Sequence, residues 1–294
     1  MAPRRFKQVD VFTARPFFGN PVAVVLDADG FGAEQMQTIA AWTNLSETTF
    51  VQPPTAAGAD YRLRIFTPKG ELPFAGHPTI GSAHAVLESG MVSPHAARLC
   101  QECGAGLLPL RIEEGPDGRR IFVQAPQAKF RSGDSALKQR VETVLRATLS
   151  DQSSPLLVDV GPVWLVAELA NATAVHALAP DMAAITHLSR EWSIAGITAF
   201  GLTGRHPDAV YTRSFAPAFN VPEDPVCGSG NASVGAFLAH CEKLGVTGAT
   251  YVAHQGHEVG REGAIMVVVN PGDRSVEIGG HSVTCIEGTL RDRA

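Results

Sequence analysis

No stretch of this 294-residue chain approaches the roughly eighteen consecutive apolar residues that mark a membrane-spanning helix. Its start, "MAPRRFKQVDVFTARPFFGNP", has basic residues but no apolar run before polar residues return, so it does not read as a signal peptide. Positive charge is not in excess either: 24 Lys and Arg stand against 29 Asp and Glu, and the basic "PRRFK" is too short to offset that. The balance argues against a nucleic-acid partner as well as a membrane one. Cysteine is sparse and odd in number, five in all, so at least one thiol is unpaired in a monomer. That suits a reducing, cytoplasmic setting. Cys100 and Cys103 form an isolated "CQEC" with no second pair of ligands nearby, and "HQGH" at His254 to His257 likewise lacks company; no metal site is expected. The glycine-rich "GSGNASVG" fails as a dinucleotide fingerprint because Ser233 stands where the third Gly belongs. "VCGSGN" fails as a nucleophile elbow because Cys227 and Asn231 hold the outer positions. No Gly-rich loop runs into GKS or GKT, and HExxH is absent, so the chain is expected to work without a cofactor.

What is present is ordinary globular composition, 45% hydrophobic and 18% charged, at a length that suits two domains with a core each. Strand-like "QVDVFT" and "PVAVVLD" flank a turn. "AEQMQTIAAWTNL" has helical periodicity, with Met36, Ile39, Ala40 and Trp42 near one side. "ETTFVQPP" and "YRLRIFTP" alternate as strands, "PTIGSAHAVLESG" reads as a helix closed by Gly90, and two strands surround "GPDG". A similar order of elements then recurs, including a long helix over "NASVGAFLAHCEKLG" that ends at Gly245. The reading is an α+β chain of two similar domains related by a pseudo-twofold duplication. The N-terminal domain is placed at 1–117, with 284–294 returning to it, and the C-terminal domain at 118–283.

The duplication is sharpest at "RIFTPKGELPFAGHPTIGSAHAV" and "RSFAPAFNVPEDPVCGSGNASVGAFL". Both open with Arg-x-Phe-x-Pro, at Arg64 and Arg213. With three extra residues allowed in the second, Gly76 falls on Gly228, His77 on Ser229 and Ala75 on Cys227. Each copy ends in a helix start. Such a start presents unpaired backbone N–H groups and a partial positive charge, and a glycine there lets a ligand come close. Two such starts are expected to hold a small carboxylate substrate through Gly76, Gly228 and Gly230.

"VDVFT", "FFGNPVAVV", "NLSETTFV", "FTPKGELPFAGHPTIGSAHAV", "EDPVCGSGNASVGAFL" and "QGHEVGR" together, in order over nearly the whole chain, resemble the phenazine biosynthesis PhzF-like proteins. The resemblance implies a diaminopimelate epimerase-like fold, in which each domain wraps strands around a central helix and the site lies in the cleft between domains. It implies a homodimer and cofactor-independent proton transfer at carbon. In the phenazine enzyme a glutamate moves a proton along a dihydro-hydroxyanthranilate ring, and that glutamate matches Glu47 of "NLSET". The supporting His, Asp and Ser match His77, Asp224 and Ser229, and Asn20 of "FGNP" falls where related epimerases contact substrate. Gln255 and Arg261 belong to a motif to which no chemical role attaches.

The chain departs from the two-thiol epimerases at one point. They carry a cysteine before each helix; here the first position is Ala75 and only the second, Cys227, is a thiol. Cys227 therefore reads as a substrate-site residue that is either a second proton carrier or a small packing group. Ser229 caps a helix or donates to a carboxylate, and Asp224 forms a turn before Pro225 or holds a polar substrate group. Three functions stand: a proton-shifting isomerase using Glu47, an epimerase or racemase using Glu47 and Cys227, and a binding protein without chemistry. For a base, burial at a strand start would raise the Glu47 pKa toward neutrality.

Overall fold

The segments that open at Gly76 and Gly228 carry small and apolar residues on every side, so neither can leave a face in water. In the computed structural model, which describes residues 3–93 and 95–291, both become buried helices of 13 residues with strands packed against them. The chain divides into two units. One ends at Val123 and takes in the chain again from Gly279; the other runs Gln124–Ile278. Of the stretch 284–294 expected to rejoin the first domain, residues 292–294 lie outside those described.

The first unit contains β1 (Arg4–Val11), β2 (Asn20–Val25), α1 (Ala33–Thr43), β3 (Thr48–Gln52), β4 (Tyr61–Thr67), β5 (Gly70–Leu72), α2 (Gly76–Glu88), β6 (Arg98–Cys103), β7 (Gly106–Gly115) and β8 (Gly118–Gln124), the last reaching its boundary. The second contains β9 (Lys129–Ser132), α3 (Leu137–Leu145), β10 (Leu156–Asp159), β11 (Val163–Glu168), α4 (Ala172–His176), α5 (Met182–Trp192), β12 (Gly196–Leu202), β13 (Val210–Ala216), β14 (Val221–Asp224), α6 (Gly228–His240), α7 (Leu244–Thr247), β15 (Thr250–Gln255) and β16 (Gly263–Val269). β17 (Val276–Gly280) reaches the boundary again and β18 (Ser282–Leu290) pairs antiparallel with β1.

The pairings repeat between units. In the first, β1 lies antiparallel to β2, β2 parallel to β3, β3 antiparallel to β4, β4 antiparallel to β5 and parallel to β6, and β6 antiparallel to β7. In the second, β10 to β16 show the same sequence of relations, step for step. Each parallel step needs a crossover. α1 supplies the first crossover in one unit, and α4 with α5 supplies it in the other. α2 and α6 supply the second crossover in their units, between strands of the sheet that buries them. This is the diaminopimelate epimerase-like fold.

The packing of α2 and α6 depends on missing side-chain atoms. A Cβ at Gly81 would sit 2.5 Å from Val22 Cγ1 and 2.8 Å from Val11 Cγ2. Outside the central helices, α3 and α5 bury one stripe in a core with Leu165, Ala167, Ile197 and Phe215. α1 buries Met36 and Ala40 against Phe50 and Phe66. Trp42, expected on that stripe, is 78% exposed. It lies six residues after Met36, well round the helix from a stripe spaced by three and four. The helix expected to end at Gly245 stops at His240; Glu242 takes a positive φ of 58° and a separate short turn, α7, follows. No helix among the described residues is long and apolar enough to cross a membrane.

The duplicated arginines have the same job. Arg64 on β4 grips Glu71 on β5 through two hydrogen bonds of 2.7 Å. Arg213 on β13 grips Glu223 on β14 through two of 2.8 Å. The three extra residues of the second copy fall around a 3-10 turn, Pro217–Phe219, between the two strands. The burial differs: the side chains are 19% and 41% exposed in the first pair but 6% and 9% in the second. Arg213 also donates to the Leu178 carbonyl at 2.8 Å. Breaking a buried pair strands a charge, whereas an exposed pair is worth little. Arg213→Met should lower unfolding free energy by about 3–5 kcal/mol and Arg64→Met by about 1 kcal/mol or less. Urea denaturation of the two variants checks this; equal losses would contradict it.

Candidate active site

In the first unit the turn after α1 delivers Glu47 to the residue before β3. Its carbonyl accepts from Ala23 N at 3.4 Å, so the strand ladder sets its backbone position. Behind it, the Thr43 and Thr48 hydroxyls meet at 2.6 Å and tie the end of α1 to the start of β3. The Glu47 side chain is 15% exposed, and its Oε2 lies 3.3 Å from His77 Nε2, the second residue of α2. Burial pushes the Glu47 carboxyl up to about 7, against a smaller opposing effect of a hydrogen bond with Ser46. A carboxyl of this kind is populated in both protonation states near neutral pH, as a group that takes and returns a proton must be. Asn20 opens β2, is 2% exposed, and lies opposite Val11 in the ladder.

In the second unit, Asp224 ends β14, and its Oδ1 accepts from Val226 N at 3.0 Å, which makes the turn into α6. Cys227 is the N-cap, as Ala75 is for α2, but only the cysteine contributes its side chain: Sγ accepts from Gly230 N at 3.2 Å. The thiol is 3% exposed, and burial, reinforced by Asp224, pushes its pKa well above the usual thiol range. Ser229 Oγ lies 3.7 Å from Cys227 Sγ and accepts from the indole N–H of Trp164 at 2.9 Å. Gly230 admits no side chain, since a Cβ there would stand 2.6 Å from Ser214 Oγ and 2.7 Å from Thr198 Oγ1.

Sequence reasoning thus named residues that the fold gathers at one helix start in each unit: Glu47 with His77 and Gly76, and Asp224 with Cys227, Gly228, Ser229 and Gly230. It gave Gln255 no role and did not name Trp164. Gln255 Oε1 accepts from Cys227 N, Asn231 Nδ2 and Thr212 Oγ1 at 3.1, 2.9 and 3.1 Å, while its Nε2 donates to the Asp224 carbonyl at 2.8 Å. This one amide holds both sides of the turn that carries Asp224 and Cys227; its place in "QGHEVGR" was the only signal. Trp164, distant in sequence from Ser229, gave none. Among the described residues, no group of three or more His, Cys, Asp and Glu side chains is placed to hold a metal ion.

Strands packed on one central helix in each of two like units are the diaminopimelate epimerase-like fold, and relatives that match nearly the whole chain are named isomerases, which makes this an isomerase on that fold. The family model described as phenazine biosynthesis-like protein matches residues 9–288, and the chain belongs to that family. It is 44% identical to Antisense-enhancing sequence 1 of Schizosaccharomyces pombe, over 98% of this chain and 99% of that one. It is 32% identical to trans-2,3-dihydro-3-hydroxyanthranilate isomerase of Pseudomonas aeruginosa, over 97% and 98%. Among solved structures it is similar to the Bacillus anthracis phenazine biosynthesis protein of the PhzF family. There the TM-score is 0.85 at 25% identity, with 99% of this chain and 100% of that one covered.

The Glu47 carboxyl carries a consequence for stability. With a folded pKa near 7 and an ordinary unfolded one near 4.5, the folded state keeps its proton while the unfolded state ionises. Stability is therefore lost as pH rises from about 4.5 to 7 and the penalty is constant above that. It amounts to something on the order of 3 kcal/mol. Glu47→Gln removes the penalty. The variant should be more stable than wild type at pH 8 by about that amount, with the difference vanishing toward pH 4; melting curves across this range test it.

Proposed function

We propose that this isomerase shifts a proton between two carbons of a small cyclic amino carboxylate, with no cofactor, and that Glu47 is its acid and base. The observation that carries the reading is the buried Glu47 carboxyl, held near pKa 7 and 3.3 Å from His77. The substrate class follows from the Pseudomonas aeruginosa relative, whose name specifies a dihydro ring with amino, hydroxyl and carboxylate substituents.

Ionised Glu47 removes a proton from a ring carbon. The C–H bond breaks, an O–H bond forms on Glu47, and the electron pair spreads into the adjoining double bond. Protonated Glu47, whose O–H proton exchanges with solvent, then gives a proton to the far carbon of that system, so the double bond has moved and the atoms balance. Fixed donors and dipoles stabilise the delocalised anion better than reorienting water does. Near pH 7 the carboxyl serves either step without a large cost. His77, 3.3 Å from the carboxyl, is assigned to orient the substrate or shuttle the proton. Ser229 donates to the substrate carboxylate, and Asp224 takes the amine or hydroxyl. Asn20, Gly76, Gly228 and Gly230 are assigned to substrate contact. The epimerase alternative asks Cys227 to act as a second base, and a thiol capping a helix, buried and pushed up in pKa, is poorly suited to that.

In D₂O, with trans-2,3-dihydro-3-hydroxyanthranilate as the compound offered, wild-type protein should place deuterium on one ring carbon while the ultraviolet spectrum changes. Glu47→Gln should slow this by roughly 10²-fold or more in a protein that melts no lower than wild type. A Glu47→Gln variant with wild-type exchange would remove Glu47 from the mechanism. Label entering at an inverted carbon, without a spectral change, would replace the isomerase with an epimerase.

A further inference from the structure

Serine hydroxyls at helix starts usually turn freely, and which way the proton points decides whether they donate or accept. At Ser229 that choice is constrained. The indole N–H of Trp164 is a donor and nothing else, and at 2.9 Å from Ser229 Oγ it claims an oxygen lone pair. The Ser229 proton must then point elsewhere. Cys227 Sγ lies 3.7 Å away, but that is a long contact to a weak acceptor that already takes the Gly230 N–H. A ligand carboxylate would be a far better acceptor for the same proton.

Trp164 is itself held. It is 4% exposed, and β11 places it on the face opposite Leu165 and Ala167, which belong to the core with α3 and α5. Four residues further along, on the same face, Glu168 pairs with Lys243 just beyond α6, so β11 grips both ends of the central helix. The ladder also matches the two units at this point: Trp164 lies opposite Gly196 at the start of β12, as Ala23 lies opposite Thr48 at the start of β3. The first unit puts an acid next to this strand start, Glu47, and its helix residue His77 meets it. In the second unit the corresponding residue is Ala195, and the helix residue Ser229 meets the indole of the neighbouring strand instead.

We propose that Trp164 is a positioning residue that fixes Ser229 as a hydrogen-bond donor toward the carboxylate of the substrate. The inference rests on the function proposed above and specifies how one of its binding groups is oriented. It assigns Trp164 no contact with the substrate.

The test is a double-mutant cycle on ligand affinity. The probe is 3-hydroxyanthranilate, the aromatic counterpart of the relative's substrate, and its Kd is measured calorimetrically. Trp164→Phe and Ser229→Ala should each weaken binding by about 5- to 10-fold, and the double variant should be no weaker than Ser229→Ala alone. In the ¹H–¹⁵N spectrum the Trp164 indole resonance should move in Ser229→Ala. Should Trp164→Phe not fold, benzothienylalanine at position 164 removes the N–H while keeping the ring shape. Additive losses in the cycle, or an indole resonance unmoved by Ser229→Ala, would overturn the proposal while leaving the Glu47 reaction standing. Coupling between the two sites in a protein whose exchange ignores Glu47→Gln would do the reverse. A wild type that does not bind the probe would count against both.

Discussion

Each unit of this protein depends on a helix that has no side facing water. A helix inside a wrap of strands meets backbone and β-branched side chains all round, and only small residues let the sheet close on it. α2 answers with Gly81 against Val11 and Val22, and α6 with Gly230 against Ser214 and Thr198. Because interiors pack densely, these contacts fix how deep each helix sits. The depth of the helix start in turn determines what the residues there can reach. His77 meets Glu47 because α2 begins where it does, and Ser229 meets Trp164 for the same reason in α6.

The duplication preserved the frame and changed the chemistry. Both units keep the order of strand pairings, the 13-residue central helix and the arginine that clamps the strand leading to it. Between the copies, an exposed clamp became a buried one, an alanine cap became a thiol cap, and an acid at a strand start is found on one side only. A clamp is free to differ in burial because its geometry, a guanidinium fork on a carboxylate, is the same in water and out of it.

Burial has opposite consequences for the two groups suited to acid–base work. Removal from water raises the pKa of a carboxyl and of a thiol alike. For Glu47 this brings the group into the range where it trades protons at neutral pH. For Cys227 it takes the group out of that range and leaves a neutral thiol whose observed use is to cap α6 at Gly230. The same physical effect thus argues for one residue as a base and against the other, which supports the single-carboxylate mechanism proposed above.

By itself the sequence determined what local chemistry and repetition can encode. The alternation of apolar residues, the turn signals and the paired Arg-x-Phe-x-Pro stretches made the duplicated α+β architecture legible, and the aligned glycines are indeed the first residues of α2 and α6. Resemblance to a family pointed to Glu47, His77, Asp224 and Ser229. Where pattern alone was used, a residue such as Trp42, near a stripe but off its spacing, was misplaced, since apolar character does not say which way a helix turns toward its neighbours. Only tertiary structure decided the contacts between residues far apart in sequence. Glu47 and His77 sit on a strand start and a helix start. Gln255 reaches back to Asp224, Cys227 and Asn231, and Trp164 crosses from a strand to Ser229. No periodicity records such pairs. They exist because a sheet closed around a helix brings its strands to that helix, and burial then makes each polar group there find a partner or change its charge.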